Sequence, residues 1–121
     1  MNKIDLKKYI ASIPDFPKEG ILFRDITPLM LDGKAYQYAV DKIASFAKQQ
    51  KADLIIGPEA RGFIFASPLA QKLKKPLILV RKKGKLPGEV YRASYLLEYG
   101  EATIEVHKSD IVKGQSILVL D

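Results

Sequence analysis

The sequence contains no cysteine. This absence excludes disulfide bonds, thiol chemistry and metal sites built on thiolates. No apolar run approaches the roughly 20 residues that span a membrane, and Met1-Asn2-Lys3 does not open a signal peptide. These absences are compatible with the cytoplasm, where we expect the protein to act, and we expect no membrane partner.

Aromatic residues are absent from Lys72 through Val90, within the most basic part of the chain. The window 72–92 holds eight basic residues and one acid, a net charge of +7, whereas the rest of the chain sums to −1. Because the basicity is local, it indicates one anionic partner at one place. Binding of RNA would require aromatic side chains interleaved with the basic ones, so we expect no nucleic-acid partner.

We expect the domain to be organised around residues 54–65. Leu54-Ile55-Ile56 is a short apolar run, typical of a strand buried on both faces of a parallel sheet. After the turn at 57–62, apolar residues recur at helical spacing through Leu73. A strand-to-helix turn presents free N–H groups and the positive end of a helix dipole, and Arg61 adds a fixed charge, so an anion could bind here. On this loop alone, a structural turn with a surface arginine is an equally good interpretation.

Before this segment, the pattern predicts two helices and a short extended piece. The first helix has an apolar face of Leu6, Tyr9, Ile10 and Ile13, a possible cap at Asn2, and Pro14 and Pro17 at its end. Ile21–Phe23 is predicted as extended, and Thr27-Pro28 as a cap and first residue of a brief turn through Leu31. A long helix should then run from residue 34 to 50, with Tyr36, Val40, Ile43 and Ala47 on its buried face.

After this segment, the pattern predicts strands and loops. A strand at 77–80 completes a strand–helix–strand unit with a right-handed crossover. Residues 81–89 form a loop, and 92–97 with 103–107 form a β-hairpin. Residues 117–120 are predicted as a third buried strand. With 121 residues, 47% of them hydrophobic, the chain fits one small α/β domain.

Three groups of residues could carry chemistry, and each also has a purely structural interpretation. Within 17–27, Phe23 offers a stacking face and the extended backbone offers a donor and an acceptor for a base; the alternative is a loop pinned by a buried Phe and an Arg–Asp pair. The basic loop 80–88 follows a strand next to the Arg61 turn, so the two loops could hold a pyrophosphate; the alternative is a solvated loop. Glu98 is either a general acid or base or a hairpin carboxylate paired with a lysine.

Two further features of this region follow from the residue types. Gly84, Pro87 and Gly88 predict a loop that closes as a lid over substrate. His107 alternates within a predicted strand, and we assign it no role.

Taken together, these segments resemble the adenine phosphoribosyltransferases, which are type I phosphoribosyltransferases of purine salvage. Five runs carry the resemblance and cover nearly the whole chain: Pro17–Thr27, Gly57–Phe63, Arg81–Gly88, Leu97–Gly100 and Val106–Asp110. Each run alone is a weak signal, whereas the set in this order is highly specific.

The resemblance implies a fold and a division of the domain. The fold is a type I phosphoribosyltransferase-like open parallel sheet flanked by helices, with a β-hairpin and lid insertion. The domain is 1–121, with an N-terminal hood and base-pocket segment at 1–33. A partial α/β core follows at 34–121, with the lid at 81–109.

The resemblance also implies an activity. It is transfer of the phosphoribosyl group from 5-phosphoribosyl 1-pyrophosphate to adenine, giving AMP and pyrophosphate. Mg²⁺ would be bound with the phosphoribosyl pyrophosphate, so no protein metal ligand is expected, and the enzyme would be a homodimer.

The site residues are implied in the same way. Adenine would meet the backbones of Leu22 and Arg24 and stack on Phe23. The implied contacts with pyrophosphate and phosphoribosyl pyrophosphate are Glu59, Ala60, Arg61, Gly62, Arg81, Lys82, Lys85 and Asp121. Glu98 and Arg61 are the implied catalytic residues. Since the bond to pyrophosphate stretches first, cations on the leaving group matter more than a strong base.

The resemblance stops at Asp121. In the family, two adjacent acids and a phosphate-binding loop rich in Thr and Gly follow this strand, whereas Ile117–Asp121 supplies only the strand and the first acid. We therefore expect that the C-terminal part of the domain is absent and that this chain by itself does not form AMP at a rate typical of the family.

Two alternatives remain open. One is a xanthine- or hypoxanthine-type phosphoribosyltransferase, although Phe23-Arg24-Asp25 and Leu97–Gly100 favour adenine. The other is a non-catalytic regulator that binds phosphoribosyl pyrophosphate; it should carry a DNA-binding segment, which this sequence does not show.

Overall fold

The computed structural model describes residues 3–121, so the predicted cap Asn2 lies outside the described residues. The chain divides into two compact units between Ile43 and Ala44, within its longest helix. The predicted division at residues 33 and 34 stays a prediction. No helix in residues 3–121 is long and apolar enough to cross a membrane.

The first unit begins with a short 3-10 helix and a two-stranded sheet. The 3-10 helix covers Leu6–Tyr9, and Asp5 caps it, its Oδ1 accepting the Lys7 N–H at 3.2 Å. β1 (Ala11–Ile13) pairs antiparallel with β2 (Phe23–Asp25).

The predicted first helix is therefore wrong beyond Tyr9. Residues 11–13 are extended because β2 supplies hydrogen-bonding partners that outweigh the weak helical preference of so short a segment. Pro14 and Pro17 lie in the connection between the two strands and end no helix. The extended piece predicted at Ile21–Phe23 becomes a regular strand only from Phe23.

Two α-helices follow β2. α1 (Thr27–Leu31) carries Pro28 in its first turn, as predicted, but Thr27 is its first residue and not its cap. Asp25 Oδ1 instead accepts both the N–H and the hydroxyl of Thr27, at 2.9 and 2.6 Å. The Thr27 side-chain hydrogen bond lowers the pKa of Asp25.

The long helix α2 (Gly33–Gln49) lies within one residue of its predicted bounds. Of its predicted inner residues, Val40 and Ala47 are buried, whereas Tyr36 and Ile43 are half-buried. The periodicity of apolar side chains therefore located this helix correctly.

The second unit contains a five-stranded mixed sheet in the order β5–β6–β4–β3–β7. Its strands are β3 (Leu54–Pro58), β4 (Leu77–Lys82), β5 (Val90–Leu97), β6 (Gly100–His107) and β7 (Ile117–Val119). β3 lies between its parallel neighbours β4 and β7, and the hairpin β5–β6 joins β4 antiparallel. The α/β class with a hairpin insertion is confirmed, and the hairpin makes the sheet mixed.

α3 (Arg61–Leu73) packs on β3 and β4. The largest fully buried side chains of the core are Leu54, Ile55 and Leu69, and Leu54, Ile56 and Ile78 form an apolar cluster on the sheet. Burial of these side chains holds the end of β3 and the start of α3 in place.

The prediction that the last strand is buried is wrong. Within residues 3–121, β7 pairs with β3 alone, and Ile117 and Val119 are 41% and 63% exposed.

Candidate functional site

The turn between β3 and α3 is packed so closely that two of its positions require glycine. A Cβ on Gly57 would lie 2.7 Å from the Cβ of Ala66. A Cβ on Gly62 would lie 2.7 Å from Pro58 Cδ and 2.8 Å from the carbonyl oxygen of Leu120. The turn includes the Glu59–Ala60 peptide, which is cis. The packing places Arg61 at the first turn of a 13-residue helix, where helix N–H groups and a guanidinium favour an anion.

Glu59 is the centre of a cluster of positive groups. Its Oε1 accepts hydrogen bonds from Arg81 Nε at 3.1 Å and the Lys82 N–H at 2.7 Å, and its Oε2 accepts from Lys85 Nζ at 2.8 Å. The side chain is only 8% exposed. The hydrogen bond from Lys85, followed by that from Lys82, lowers the pKa of Glu59 from 4.5 to about 2. Glu59 is therefore ionised at neutral pH and bound to three donors.

Arg61 forms a two-pronged ion pair with Asp121. Its Nε lies 3.0 Å from Oδ1 and its Nη2 lies 3.2 Å from Oδ2. The hydrogen bonds and charge of Asp121 raise the pKa of Arg61. Both side chains are largely exposed, at 70% and 44%, so solvent screens the pair and an incoming anion can reach the arginine.

The basic loop after β4 is fixed by a second carboxylate, which the sequence patterns did not single out. Glu105 is 3% exposed; its Oε1 accepts the Gly84 N–H at 2.8 Å, and its Oε2 accepts Arg92 Nε at 2.9 Å. These bonds, the one from Gly84 first, lower the pKa of Glu105. The Lys83 N–H donates to the carbonyl of Thr103 at 3.1 Å. The only sequence signal for Glu105 was an acid inside a strand, which more often faces solvent.

The far end of the loop is also attached. His107 Nε2 lies 2.9 Å from the carbonyl oxygen of Pro87, and the Lys108 N–H donates to the carbonyl of Glu89 at 3.2 Å. Closure of this loop as a lid stays a prediction. With one end fixed by Glu59 and Glu105 and the other by His107 and Lys108, a closing motion would be confined to the residues between Lys85 and Pro87.

A cleft of about 610 Å³ opens at the carboxyl ends of β3 and β4. Its wall comes from the two strand ends, the hairpin and the end of the described chain: Pro58, Glu59, Val80, Lys82, Lys83, Tyr95, Glu101, Ala102, Thr103, Ile104 and Asp121. Ligands of open α/β sheets characteristically bind at this edge. The half-exposed Tyr95 and the Lys83 of this wall were not among the predicted site residues.

Of the predicted pyrophosphate residues, Glu59, Lys82 and Asp121 line this cleft, and three of the others are connected to them by hydrogen bonds or ion pairs. Arg81, Lys82 and Lys85 are joined through Glu59, and Arg61 is joined to Asp121. Ala60 and Gly62 lie in the turn itself. The structure thus brings together residues far apart in sequence, while their roles in binding stay predictions.

Glu98 lies elsewhere. It is exposed in the turn between β5 and β6 and is not part of the cleft wall. Its predicted catalytic role is neither supported nor contradicted by this position.

The predicted adenine residues belong to the first unit. Phe23 is 37% exposed and packs edge-on against Phe16, with ring centroids 5.0 Å apart. Leu22 is half-exposed, and Arg24 donates to the hydroxyl of Ser12 on β1. Phe23 is therefore held in place with part of its ring free, as a stacking surface requires.

The comparisons with known proteins give the family. The phosphoribosyl transferase domain family matches residues 30–121. The chain is 57% identical over 112 residues to adenine phosphoribosyltransferase from Treponema denticola, covering 93% of the chain and 59% of that protein. It is 49% identical over 121 residues to the adenine phosphoribosyltransferase from Petrotoga mobilis, covering 100% of the chain and 70% of that protein. The chain thus spans about three-fifths to two-thirds of the length of such relatives.

Comparison with solved structures gives the same family. The adenine phosphoribosyltransferase of Saccharomyces cerevisiae, in complex with adenine and an imino-altritol bisphosphate, superposes with a TM-score of 0.91 at 38% identity, covering 96% of this chain and 68% of that one. The Thermoanaerobacter pseudethanolicus enzyme gives 0.87 at 46% identity, covering 94% and 66%. The chain belongs to the phosphoribosyltransferase family, in its adenine phosphoribosyltransferase branch.

Proposed function

We propose that this protein converts adenine and 5-phosphoribosyl 1-pyrophosphate to AMP and pyrophosphate in purine salvage. The names of its relatives and the adenine bound to the yeast enzyme support this activity. The observation that carries the proposal is the set of positive groups at the carboxyl edge of the sheet, gathered on Glu59 and beside Asp121.

The chemistry follows from where charge develops. As the bond from the ribose to the pyrophosphate stretches, negative charge grows on the leaving group, and fixed cations stabilise it more than they stabilise the bound substrate. Arg61, Arg81, Lys82 and Lys85 are the proposed cations. They are held in position before the substrate arrives, so little reorganisation opposes the reaction.

The acceptor base would be held by the first unit. We propose that the backbones of Leu22 and Arg24 meet the edge of adenine while Phe23 stacks on its face. Glu98, on the hairpin, would accept or relocate the proton that adenine sheds during attack.

Mg²⁺ is proposed to arrive with the phosphoribosyl pyrophosphate. No group of three or more His, Cys, Asp or Glu side chains in residues 3–121 could hold a metal ion. The carboxylates of Glu59 and Asp121 are bound to cations, so the oxygens of the diphosphate itself are the ligands that suit Mg²⁺. The ion would neutralise charge on the leaving group. A homodimer in the cytoplasm is proposed on the family resemblance alone.

Two measurements test the proposal. Calorimetric titration of the 121-residue chain with phosphoribosyl pyrophosphate and Mg²⁺, and separately with adenine, hypoxanthine and xanthine, should show binding of the diphosphate and preference for adenine. Conversion of labelled adenine to AMP by the protein expressed from its gene should confirm the reaction. Preference for xanthine or hypoxanthine would reassign the base, and binding of the diphosphate without turnover would favour a regulator.

A further inference from the structure

An acid occupies the centre of a site that is otherwise basic. Glu59 lines the cleft, yet a carboxylate beside a bound pyrophosphate would repel it. The family resemblance nevertheless places Glu59 among the residues that contact pyrophosphate. Its hydrogen bonds suggest a different use.

Both oxygens of Glu59 are already occupied. Oε1 accepts from Arg81 and the Lys82 N–H, and Oε2 accepts from Lys85. The Glu59 side chain is 8% exposed, whereas the side chains of Arg81 and Lys85 are 32% and 48% exposed. Glu59 is thus much less accessible to solvent than the two cations that it binds.

The cations keep donors for a ligand. Arg81 uses only Nε toward Glu59, and its terminal nitrogens have no other partner in the described part of the chain. Lys85 donates one of its three ammonium hydrogens to Oε2 of Glu59. Long flexible side chains otherwise lose considerable rotamer entropy when a ligand fixes them. Tethering them in advance removes part of that loss.

We infer that Glu59 is a positioning residue: it holds Arg81, Lys85 and the end of β4 as one fixed cationic group for the diphosphate, and does not itself contact the ligand. This inference rests on the proposed function of the cleft. It also explains why the turn carries an acid where simple electrostatics would exclude one.

The test removes the negative charge of Glu59, because a pure charge effect and a positioning role predict opposite changes in pyrophosphate affinity. Glu59→Gln removes a negative charge from the cleft, so if charge alone mattered, inorganic pyrophosphate would bind more tightly. If Glu59 is a positioning residue, the affinity for pyrophosphate should instead fall by about tenfold or more, because the side-chain amide of Gln cannot bind both cations. Glu101→Gln is the matched control: Glu101 lines the same cleft, and its side chain has no ion-pair partner in residues 3–121. The Glu101→Gln chain should therefore bind pyrophosphate more tightly than wild type.

The measurement is calorimetric titration of the 121-residue chain with inorganic pyrophosphate, with adenine titrated in parallel. Positioning predicts that Glu59→Gln weakens pyrophosphate binding but not adenine binding, which a general loss of structure would not do. Tighter or unchanged pyrophosphate binding would overturn the inference and leave the proposed function standing. If the wild-type chain binds no pyrophosphate, the proposed function and the inference both fail.

A second variant covers the case in which Glu59→Gln does not fold, as judged by circular dichroism. Glu59→Asp keeps the charge but withdraws the carboxylate by one methylene, so it cannot reach Arg81 and Lys85 together. A clear loss of pyrophosphate affinity would support positioning, and wild-type affinity would refute it.

Discussion

Gly62→Ala is expected to destabilise the protein even though alanine is the better helix former. Gly62 is buried in the first turn of α3. In an open helix the change would gain up to about 1 kcal/mol. Here the new Cβ would meet Pro58 Cδ at 2.7 Å and the Leu120 carbonyl oxygen at 2.8 Å.

Neither Pro58 nor the Leu120 backbone can move away from the new Cβ without disturbing β3. Pro58 is part of β3, and the Leu120 N–H donates to the Ile56 carbonyl at 2.9 Å, which ties its backbone to the same strand. Overpacking of this kind costs about 1–3 kcal/mol. We use the upper half of this range because both neighbouring groups are constrained. Subtracting the gain in helix propensity leaves a net decrease of ~1–2 kcal/mol in the free energy of unfolding.

Urea unfolding followed by far-ultraviolet circular dichroism measures this difference. The matched control is Gly33→Ala in the first turn of α2, where a Cβ added to the glycine would have no neighbouring atom within 4 Å. It should be neutral or stabilising by up to ~1 kcal/mol. A Gly62→Ala chain as stable as wild type would show that the turn yields to the added methyl and that the packing argument is wrong.

Four further predictions concern the site. Arg61→Ala should weaken binding of pyrophosphate far more than binding of adenine in calorimetric titrations; equal losses would refute its assignment. Phe23→Ala should weaken adenine binding by ~1–3 kcal/mol if stacking here resembles that on other aromatic platforms, and unchanged affinity would make Phe23 a packing residue only. Glu98→Gln in the protein expressed from its gene should lower AMP formation by about 10²–10⁴-fold with little change in substrate affinity; normal turnover would remove its catalytic role. The pKa of Glu59 is lowered from 4.5 to about 2, so its stabilising contribution is complete above pH 4.5 and is lost as the pH falls toward 2. In acid unfolding, Glu59→Gln should therefore lose less stability than wild type across that window, and parallel acid curves would contradict the lowered pKa.

The elements that the sequence predicted correctly are those with a strong local pattern. α2 repeats its apolar residues at helical spacing, and the run at Leu54 is bounded by polar residues and glycine. The hairpin was placed by its alternation, although both strands are longer than predicted. In each case the signal lies within a few consecutive residues.

The predictions that are wrong concern segments whose structure depends on residues elsewhere in the chain. Residues 11–13 are extended because they pair with β2, which lies about ten residues further along the chain, and within residues 3–121 β7 pairs with β3 alone. Neither fact is encoded in the segment's own composition. Pairing across a sheet overrides weak local preference.

The site shows the same limit. The positive loops could be found from their composition, but the partners of Glu59 lie 22, 23 and 26 residues away along the chain. Glu105 reaches Gly84 from the other direction, across 21 residues. Sequence patterns therefore located the cations, and only the fold revealed the carboxylates that hold them.

The anchoring of the basic loop has a consequence for solvent exchange. Four successive backbone N–H groups are engaged: Lys82 donates to Glu59, Lys83 to Thr103, Gly84 to Glu105 and Lys85 to the carbonyl of Lys82. Amide hydrogens exchange with deuterium only when such bonds open. In a stretch of chain that is irregular beyond Lys82, these amides should therefore be protected like those of a strand, whereas the amide hydrogens nearer Pro87 should exchange sooner.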